Sequence, residues 1–289
     1  PACAGWASDA ARPVVADGKL TGLGANDAKG CVAAMLLAAR ELRAMELEGR
    51  VTFAFVAHEE TTGEGIRSTR PKLGEIDAAV VGEPTGLEIC AAQRGILLLK
   101  CTAGGEGAHV AHASLGENAI HKAARDISRL TELTFDAHPV LGTARAQVTH
   151  ITGGLARNQV PDVCEFFVDF RTTPNLDHAK LAAEIGDALE SEVAIQSDRY
   201  LPVATNFAEP IVQAALAASG RKIPVGSATA SDWAFLSDIP AVKAGPGDSA
   251  RSHRPNEYLL LEELEAGAKF YCRLAGEYFA RMSQEAAHV

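Results

Sequence analysis

The sequence lacks a long apolar run and an excess of basic residues. None of its hydrophobic stretches reaches the roughly 18–20 residues that span a bilayer. Its 27 basic and 37 acidic residues give a formal net charge of −10. That charge argues against a broad surface for nucleic acid or anionic lipid, because both need a positive face. We therefore expect neither a nucleic-acid partner nor a membrane partner.

The six cysteines are scattered along the chain and form no CxxC motif. This excludes the usual spacing of a zinc finger or of a thioredoxin-like redox site. The N-terminal residues also lack the basic segment followed by an apolar one that is typical of a secretory signal. We expect reduced thiols in the core and a cytoplasmic location.

Strand-like and helix-like runs alternate over the 289 residues, which is typical of an α/β protein. Helices are predicted over residues 31–45 and 259–282. The first helix should bury one face, made of Val32, Met35, Leu36, Ala39 and Leu42. Three apolar runs are predicted as buried strands: VTFAFVA (51–57), AAVV (78–81) and PAVKAG (240–245).

The middle of the chain has a different pattern. Strands and helices are predicted there in the order β-α-β-β-α, with a further strand near 194–197; the successive segments are 96–103, 118–133, 147–152, 163–171 and 181–193. This order is typical of a small ferredoxin-like α+β unit. We expect two domains: residues 1–93 with 201–289, which would bind metal, and an inserted domain over 94–200.

Polar residues follow the predicted strands, where ligands bind in open α/β sheets. His58, Glu59 and Glu60 end one strand, and Glu83 ends the next. His253 follows a third, and Asp27 lies in a loop before the first helix. Several carboxylates beside a histidine suit zinc, manganese or cobalt. Two metals sharing a bridging carboxylate would use this many acids.

Each of these residues also has a simpler interpretation. Asp27 is a candidate helix N-cap. Glu59 and Glu60 could form a solvated pair, and Glu83 could be an ordinary turn residue before proline. His253 alone is more often a surface histidine. Only the repetition of such residues after three predicted strands favours a metal site.

A resemblance to a known family becomes specific when the motifs are taken together. They occur in one order along the chain: DGKLTGLGANDAKG, VAHEETTGEG, VVGEPT, GEGAHVAHASLGENAI, GGLARNQVPD and SHRPNE. The sequence resembles the dizinc group of aminoacylases, acetylornithine deacetylases, succinyl-diaminopimelate desuccinylases and carboxypeptidase G. SATASDWAFL and GPGD are most similar to the acetylornithine deacetylase branch.

The resemblance implies a role for each acidic candidate. Asp27 would bridge two zinc ions, Glu60 and His253 would hold one of them, and Glu83 would hold the other. Glu59 would be the general acid and base, without binding metal. Cobalt is an alternative to zinc.

The same resemblance assigns residues in the inserted domain, which would serve as a lid and dimerise. His109, nine residues before Asn118, would stabilise the oxyanion, and His112 is its rival. Substrate contacts are implied for Asn158, Arg171, Gly245 and Gly247. Arg171 could instead pair with a surface carboxylate. A homodimer is implied, with the lid histidine reaching the neighbouring subunit's site.

The implied function is the removal of an acyl group from an N-acyl amino acid, with N-acetylornithine, in arginine biosynthesis, as the favoured substrate. A desuccinylase and a carboxypeptidase or dipeptidase are the alternatives. The group's HxD motif, which supplies a further zinc ligand, does not occur near the start of this sequence. We expect it upstream of Pro1, because Gly5-Trp6 resembles the residues that come after HxD in this group. Without it, a catalytically inert homologue is the competing hypothesis.

Overall fold

The computed structural model describes residues 4–7 and 9–287. The chain forms two compact units. The first unit combines Pro1–Ala92, Ala204–Ser227 and Ser231–Val289; the second combines Gln93–Val203 and Ala228–Ala230. Both units contain helices and strands, which confirms the predicted mixed α/β class. The role of the second unit as a lid and dimerisation domain stays a prediction.

The α-helices are α1 Gly30–Leu42, α2 Glu64–Thr69, α3 Ala119–Thr131, α4 His178–Ala188, α5 Pro210–Ser219 and α6 Leu261–Ala287. The strands are β1 Val14–Ala16, β2 Lys19–Thr21, β3 Ala79–Val81, β4 Cys90–Gln93, β5 Gly95–Gly104, β6 Ala108–His109, β7 Arg145–Gly153, β8 Gln159–Val160, β9 Val163–Thr172, β10 Glu192–Tyr200, β11 Val203–Ala204, β12 Val225–Ser227, β13 Ala241–Lys243 and β14 Tyr258–Leu260. Within the described ranges, no helix has both the length and the apolar character needed to cross a bilayer.

The first unit is built on two sheets. One has the order β11-β4-β13-β3, with β12 also paired to β4; β13 runs parallel to β3. The other is a small antiparallel sheet of order β1-β2-β14. Helices α1 and α5 pack on α6, and the shared core includes Ala38, Val212, Val242 and Phe270. This packing places the loops after β2, β3 and β13 in one unit.

The apolar face predicted for α1 is only partly buried. Val32 and Leu36 are 36% and 54% exposed, whereas Ala34 and Ala38 are fully buried. The small side chains of Ala34 and Ala38 let α1 pack closely against the rest of the core. Of the predicted face, Leu42 is buried and Met35 packs against the core as a half-buried residue.

The predicted strand over residues 51–57 is wrong. The structure assigns no strand to this run among the described residues, and Val51 and Phe55 are 39% and 45% exposed. An apolar composition makes a strand possible, but a strand needs a neighbour to accept its hydrogen bonds. The runs at 78–81 and 240–245 do form strands, β3 and β13, which pair with each other.

The second unit has the predicted order of elements. Its antiparallel sheet has the order β10-β5-β9-β7, and α3 and α4 follow the first and third strands in sequence. Alternate residues of β9, from Cys164 to Phe170, are buried, as expected for a sheet covered on one face. The helix predicted over 181–193 differs, because α4 ends at Ala188 and Val193 belongs to β10.

The described cysteines are free thiols, as expected: Cys31, Cys90, Cys101, Cys164 and Cys272. Cys3 lies outside the described residues. Burial raises the pKa of Cys90 to about 11 and that of Cys101 to about 12, so these thiols stay protonated at neutral pH.

Candidate metal centre

Asp27 lies in the loop between β2 and α1, within a short π-helical segment, Ala25–Lys29, that is interrupted at Asp27 itself (φ −118°, ψ 97°). Helix α1 begins at Gly30 with Lys29 as its N-cap, and no side chain caps it. Asp27 is therefore not the helix cap, which was the simpler interpretation of this residue. The side chain is 17% exposed, so the carboxylate is largely shielded yet reaches the surface of the unit.

Glu59 and Glu60 lie on a tight turn that begins at His58. The His58 carbonyl accepts hydrogen bonds from the backbone N–H groups of Thr62 (3.0 Å) and Gly63 (2.9 Å). His58 itself has φ 64°, a left-handed conformation that is unfavourable for a residue with a side chain. Such strained residues cluster at functional sites, where the surrounding structure holds them.

His253 meets two of the predicted carboxylates. Its Nε2 lies 3.1 Å from each oxygen of Glu60 and 3.7 Å from Oδ2 of Asp27. One ligand atom from each of the three side chains lies within 4.8 Å of the others. His253 also has a left-handed backbone, with φ 58°. His253 and Glu60 are both exposed, but His253 is not isolated, because it lies against two carboxylates.

This donor set fits a divalent cation. Two carboxylates and an imidazole are the ligands that zinc and cobalt accept. Among the described residues, these three form the group with metal-ligand spacing, and Glu83 is not one of them. The described residues thus assemble one candidate cation site, and Glu83 lies near it without completing a second.

The carboxyl groups around this site have pKa values displaced by burial and by one another. Burial, followed by the charges of Asp232, Glu60 and Asp27, raises the pKa of Glu59 to about 7. Burial also raises the pKa of Glu83, and the nearby Lys243 ammonium opposes that rise. A cation bound here would relieve this repulsion between carboxylates.

Burial acts on two further ionisable groups near the site. It raises the pKa of Asp232, which is 6% exposed, to about 6. It lowers the pKa of Lys243, which is 2% exposed, and the charge of Glu83 works in the opposite direction. Oδ1 of Asp232 has no hydrogen-bond partner among the described residues. Both residues therefore contribute to the electrostatics around Glu59.

Gly245 and Gly247 connect the loop after β13 to the turn after Glu83 by backbone hydrogen bonds. Their carbonyls accept hydrogen bonds from the backbone N–H groups of Leu87 and Gly86, at 3.1 and 2.6 Å. A Cβ on Gly247 (φ 92°) would lie 2.4 Å from Oδ1 of Asn26, and one on Gly245 would lie 2.7 Å from the carbonyl of Glu83. Neither position has room for a side chain.

His109 and Asn158 lie together in the second unit. Both line a surface pocket with Gly107, Ala108 and Gln159. Nδ1 of His109 accepts a hydrogen bond from the Ala111 N–H at 3.1 Å, so the neutral ring carries its proton on Nε2. The centroid of the His112 ring lies 6.4 Å from that of His109, and His112 does not line the pocket.

Arg171 lies on β9 and forms an ion pair within its own strand. Its Nε and Nη2 lie 2.8 and 3.3 Å from the two oxygens of Asp169. This is the surface pairing anticipated as the simpler interpretation. A substrate carboxylate bound by Arg171 would share the guanidinium with Asp169 or displace it.

Three residues close to the centre were not singled out from the sequence: Asp232, Lys243 and Glu257. Asp232 lies in SATASDWAFL and Glu257 lies in SHRPNE, so both are within motifs that carry the resemblance. Lys243 interrupts the apolar run PAVKAG. A lysine inside a buried strand is a usable signal, because an ammonium is rarely buried without compensating charge.

Two curated relatives match most of the chain. An acetylornithine deacetylase from Myxococcus xanthus is 29% identical over 285 residues, covering 91% of this chain and 73% of the relative. A succinyl-diaminopimelate desuccinylase from Stenotrophomonas maltophilia (strain R551-3) is 30% identical over 296 residues, covering 93% and 78%.

The fold has a counterpart among solved structures. A tripeptidase from Staphylococcus aureus superposes with a TM-score of 0.77 at 20% identity, covering 93% of this chain and 76% of the tripeptidase. Residues 1–277 match the family described as peptidase family M20/M25/M40. This match spans both units and every motif that carried the resemblance. The chain therefore belongs to peptidase family M20/M25/M40.

Proposed function

We propose that this protein is a metal-dependent amidohydrolase that removes the acyl group from an N-acyl amino acid, with N-acetylornithine as the favoured substrate. The observation that carries the proposal is the cluster of Asp27, Glu60 and His253, which lies beside a glutamate, Glu59, with a raised pKa. The similarity to an acetylornithine deacetylase over 91% of the chain supports this choice of substrate.

The three clustered side chains would hold one zinc or cobalt ion. Asp27 and Glu83 would also contribute ligands to a second ion. A metal ion in this place would act as a Lewis acid on the substrate carbonyl and make a nearby water more acidic.

Glu59 would move the protons of the reaction. Its carboxylate would accept a proton from the attacking water and then deliver it to the leaving amine. In the metal-free protein its pKa of about 7 is near that of an effective acid–base group at neutral pH. Its position next to Glu60 would keep it at the metal site without binding the metal.

His109 would donate from Nε2 to the oxyanion that develops on the substrate. The hydrogen bond from the Ala111 N–H to Nδ1 supports this role, because it leaves the neutral ring's proton on Nε2. We propose that His109 acts in the active site of the partner subunit of a homodimer. Asn158, on the same pocket, would bind substrate.

Arg171 and the glycine loop would complete substrate recognition. Arg171 would grip the α-carboxylate in a bidentate manner, in competition with Asp169. Gly245 and Gly247 would contact substrate through their loop; both are buried, and neither carries a side chain.

Succinyl-diaminopimelate desuccinylation is the second candidate. A relative with that name is 30% identical over 93% of the chain. The two substrates differ in the acyl group and in the charge of the amino acid, so one assay separates them.

The test measures hydrolysis of N-acetylornithine, N-succinyl-diaminopimelate and a set of dipeptides by the zinc-loaded and cobalt-loaded protein. The expected result is the highest kcat/KM for N-acetylornithine, with no turnover after metal is removed. Preferential turnover of the succinyl substrate would favour the second candidate. Metal binding without turnover of any substrate would identify an inert homologue.

The shared active site has its own test. A Glu59→Ala chain and a His109→Ala chain should each be inactive alone. Mixed heterodimers should recover activity, because one of their two sites would contain both residues. Heterodimers that form without any activity would contradict a site shared between subunits.

A further inference from the structure

Glu257 binds the loop that carries Asp27. The Glu257 side chain is buried, with 4% exposure. Its Oε1 accepts hydrogen bonds from the N–H groups of Asn26 (3.0 Å) and Asp27 (2.7 Å), and its Oε2 accepts one from the N–H of Gly24 (3.0 Å). One carboxylate thus satisfies three backbone donors of a single loop.

The pairing of β14 with β2 brings Glu257 to this loop. Tyr258, the first residue of β14, is opposite Thr21, the last residue of β2. The N–H of Gly22 also donates to the Glu257 carbonyl at 3.1 Å. The loop after β2 therefore contacts Glu257 twice. Its first residue, Gly22, bonds to the Glu257 backbone, and later residues bond to the Glu257 side chain.

Asn26 adds a second attachment to the segment that precedes Glu257. Its Nδ2 donates to the Asp248 carbonyl (3.0 Å) and to Oγ of Ser252 (3.2 Å), and its Oδ1 accepts from the Asp248 N–H (2.9 Å). His253 follows Ser252 directly. The segment that holds the Asp27 loop is thus the segment that presents His253.

We propose that Glu257 is a positioning residue for the metal centre, which fixes the Asp27 carboxylate relative to His253 by binding the backbone of the Asp27 loop. The inference rests on the proposed metal site. The hydrogen bonds of the Glu257 side chain go to the backbone of the loop, so it would act through the loop. Residues that orient metal ligands in this way are typically worth about 10–100-fold in metal affinity.

A glutamine cannot replace Glu257, because its amide has a single acceptor oxygen. In Glu257→Gln the amide nitrogen would face one of the backbone donors, which would leave that N–H unsatisfied. The loop would then be free to leave the conformation that holds Asp27 near His253.

The test compares Glu257→Gln with Asp126→Asn. Asp126 is a matched control, because it is a fully buried carboxylate of the second unit that accepts hydrogen bonds from two backbone N–H groups, those of Glu190 and Ser191. Zinc affinity is measured by competition with a chromophoric chelator, and stability of the metal-free proteins by urea unfolding. Both variants should lose stability. Only Glu257→Gln should lose zinc affinity, by about 10–100-fold.

Unchanged zinc affinity in Glu257→Gln, with a loss of stability like that of Asp126→Asn, would overturn the positioning role. If Glu257→Gln does not fold, Glu257→Asp keeps both acceptor oxygens on a shorter side chain and should bind zinc less tightly than the unsubstituted protein; unaltered binding there would equally overturn the role. A protein that binds zinc in this pattern but hydrolyses none of the substrates would contradict the proposed function and leave the inference standing.

Discussion

Two buried carboxylates, one in each unit of the molecule, differ in how fully hydrogen bonds compensate them. In the second unit, Asp126 is fully buried and accepts hydrogen bonds from Glu190 N–H, Ser191 N–H, Ser191 Oγ and Arg129. In the first unit, Asp232 is 6% exposed and its Oδ1 has no hydrogen-bond partner among the described residues. Burial raises its pKa to about 6, and the pKa of the nearby Glu59 reaches about 7.

The difference separates a structural carboxylate from carboxylates that suit catalysis. A buried carboxylate with enough donors joins one element to the next, as Asp126 joins α3 to the two residues just before β10. Buried carboxyl groups that repel one another lower the stability of the fold, and such groups are typical of functional sites, where a bound ligand compensates their charge. In the first unit we propose that a metal ion is this ligand.

The largest expected effect is a loss of turnover, without a loss of zinc binding, when Glu59 of the first unit is replaced. Glu59→Gln should lower turnover by at least about 10²-fold, the usual contribution of a general base. It should leave zinc binding intact, because Glu59 is not proposed as a ligand. Turnover is measured on the zinc-loaded protein, with zinc content as the control. Turnover equal to that of the unsubstituted protein would remove Glu59 from the proposed role.

In the second unit, replacing the buried carboxylate of Asp126 should lower stability and leave zinc affinity unchanged. Asp126→Ala leaves the N–H groups of Glu190 and Ser191 without their acceptor, so the free energy of unfolding should fall by about 3 kcal/mol. Urea unfolding measures the loss, and the zinc affinity of the folded variant should not change. A stability like that of the unsubstituted protein would show that Asp126 is not the structural carboxylate described here.

A pair of glycines tests whether the first unit is more tightly constrained. Gly247→Ala meets both a positive φ of 92° and Oδ1 of Asn26 at 2.4 Å, and should cost about 2–3 kcal/mol. Gly142→Ala, in the second unit, meets a φ of 66° and no atom within 4 Å, and should cost about 1 kcal/mol. Thermal unfolding of both variants gives the difference. Equal losses would mean that the backbone angle alone matters.

The smallest effect concerns pH. A carboxyl group whose pKa is raised by folding contributes stability that is complete below its unfolded pKa of about 4 and is lost as pH rises through its folded pKa. The metal-free protein should therefore lose stability between about pH 4 and pH 7, through Asp232 (about 6) and Glu59 (about 7).

Asp232→Asn isolates one part of this pH dependence. The variant cannot ionise at that position, so its stability should fall less steeply over the same range, by a difference on the order of 1 kcal/mol at pH 8. Urea unfolding at pH 5 and pH 8, in the presence of a chelator, measures it. Identical slopes for the variant and the unsubstituted protein would show that Asp232 does not titrate as described.

Much of the second unit could be predicted from the sequence, and the two central strands of its sheet, β5 and β9, bury alternate residues. The first unit was harder. The run at 51–57 is apolar enough for a strand, yet the described residues provide no partner for one. In α1 the bulkier residues Val32 and Leu36 suggested the buried face, but the close approach of the core selected Ala34 and Ala38.

The sequence by itself determined the class of fold, the family motifs and the candidates Asp27, Glu59, Glu60 and His253, because each is written in local patterns and in the order of short segments. Only the tertiary structure decided which of them meet. It clustered Asp27, Glu60 and His253, left Glu83 outside that group, and brought Glu257 to the Asp27 loop. These contacts join residues far apart in the chain, and such contacts depend on the packing of whole elements rather than on any local preference.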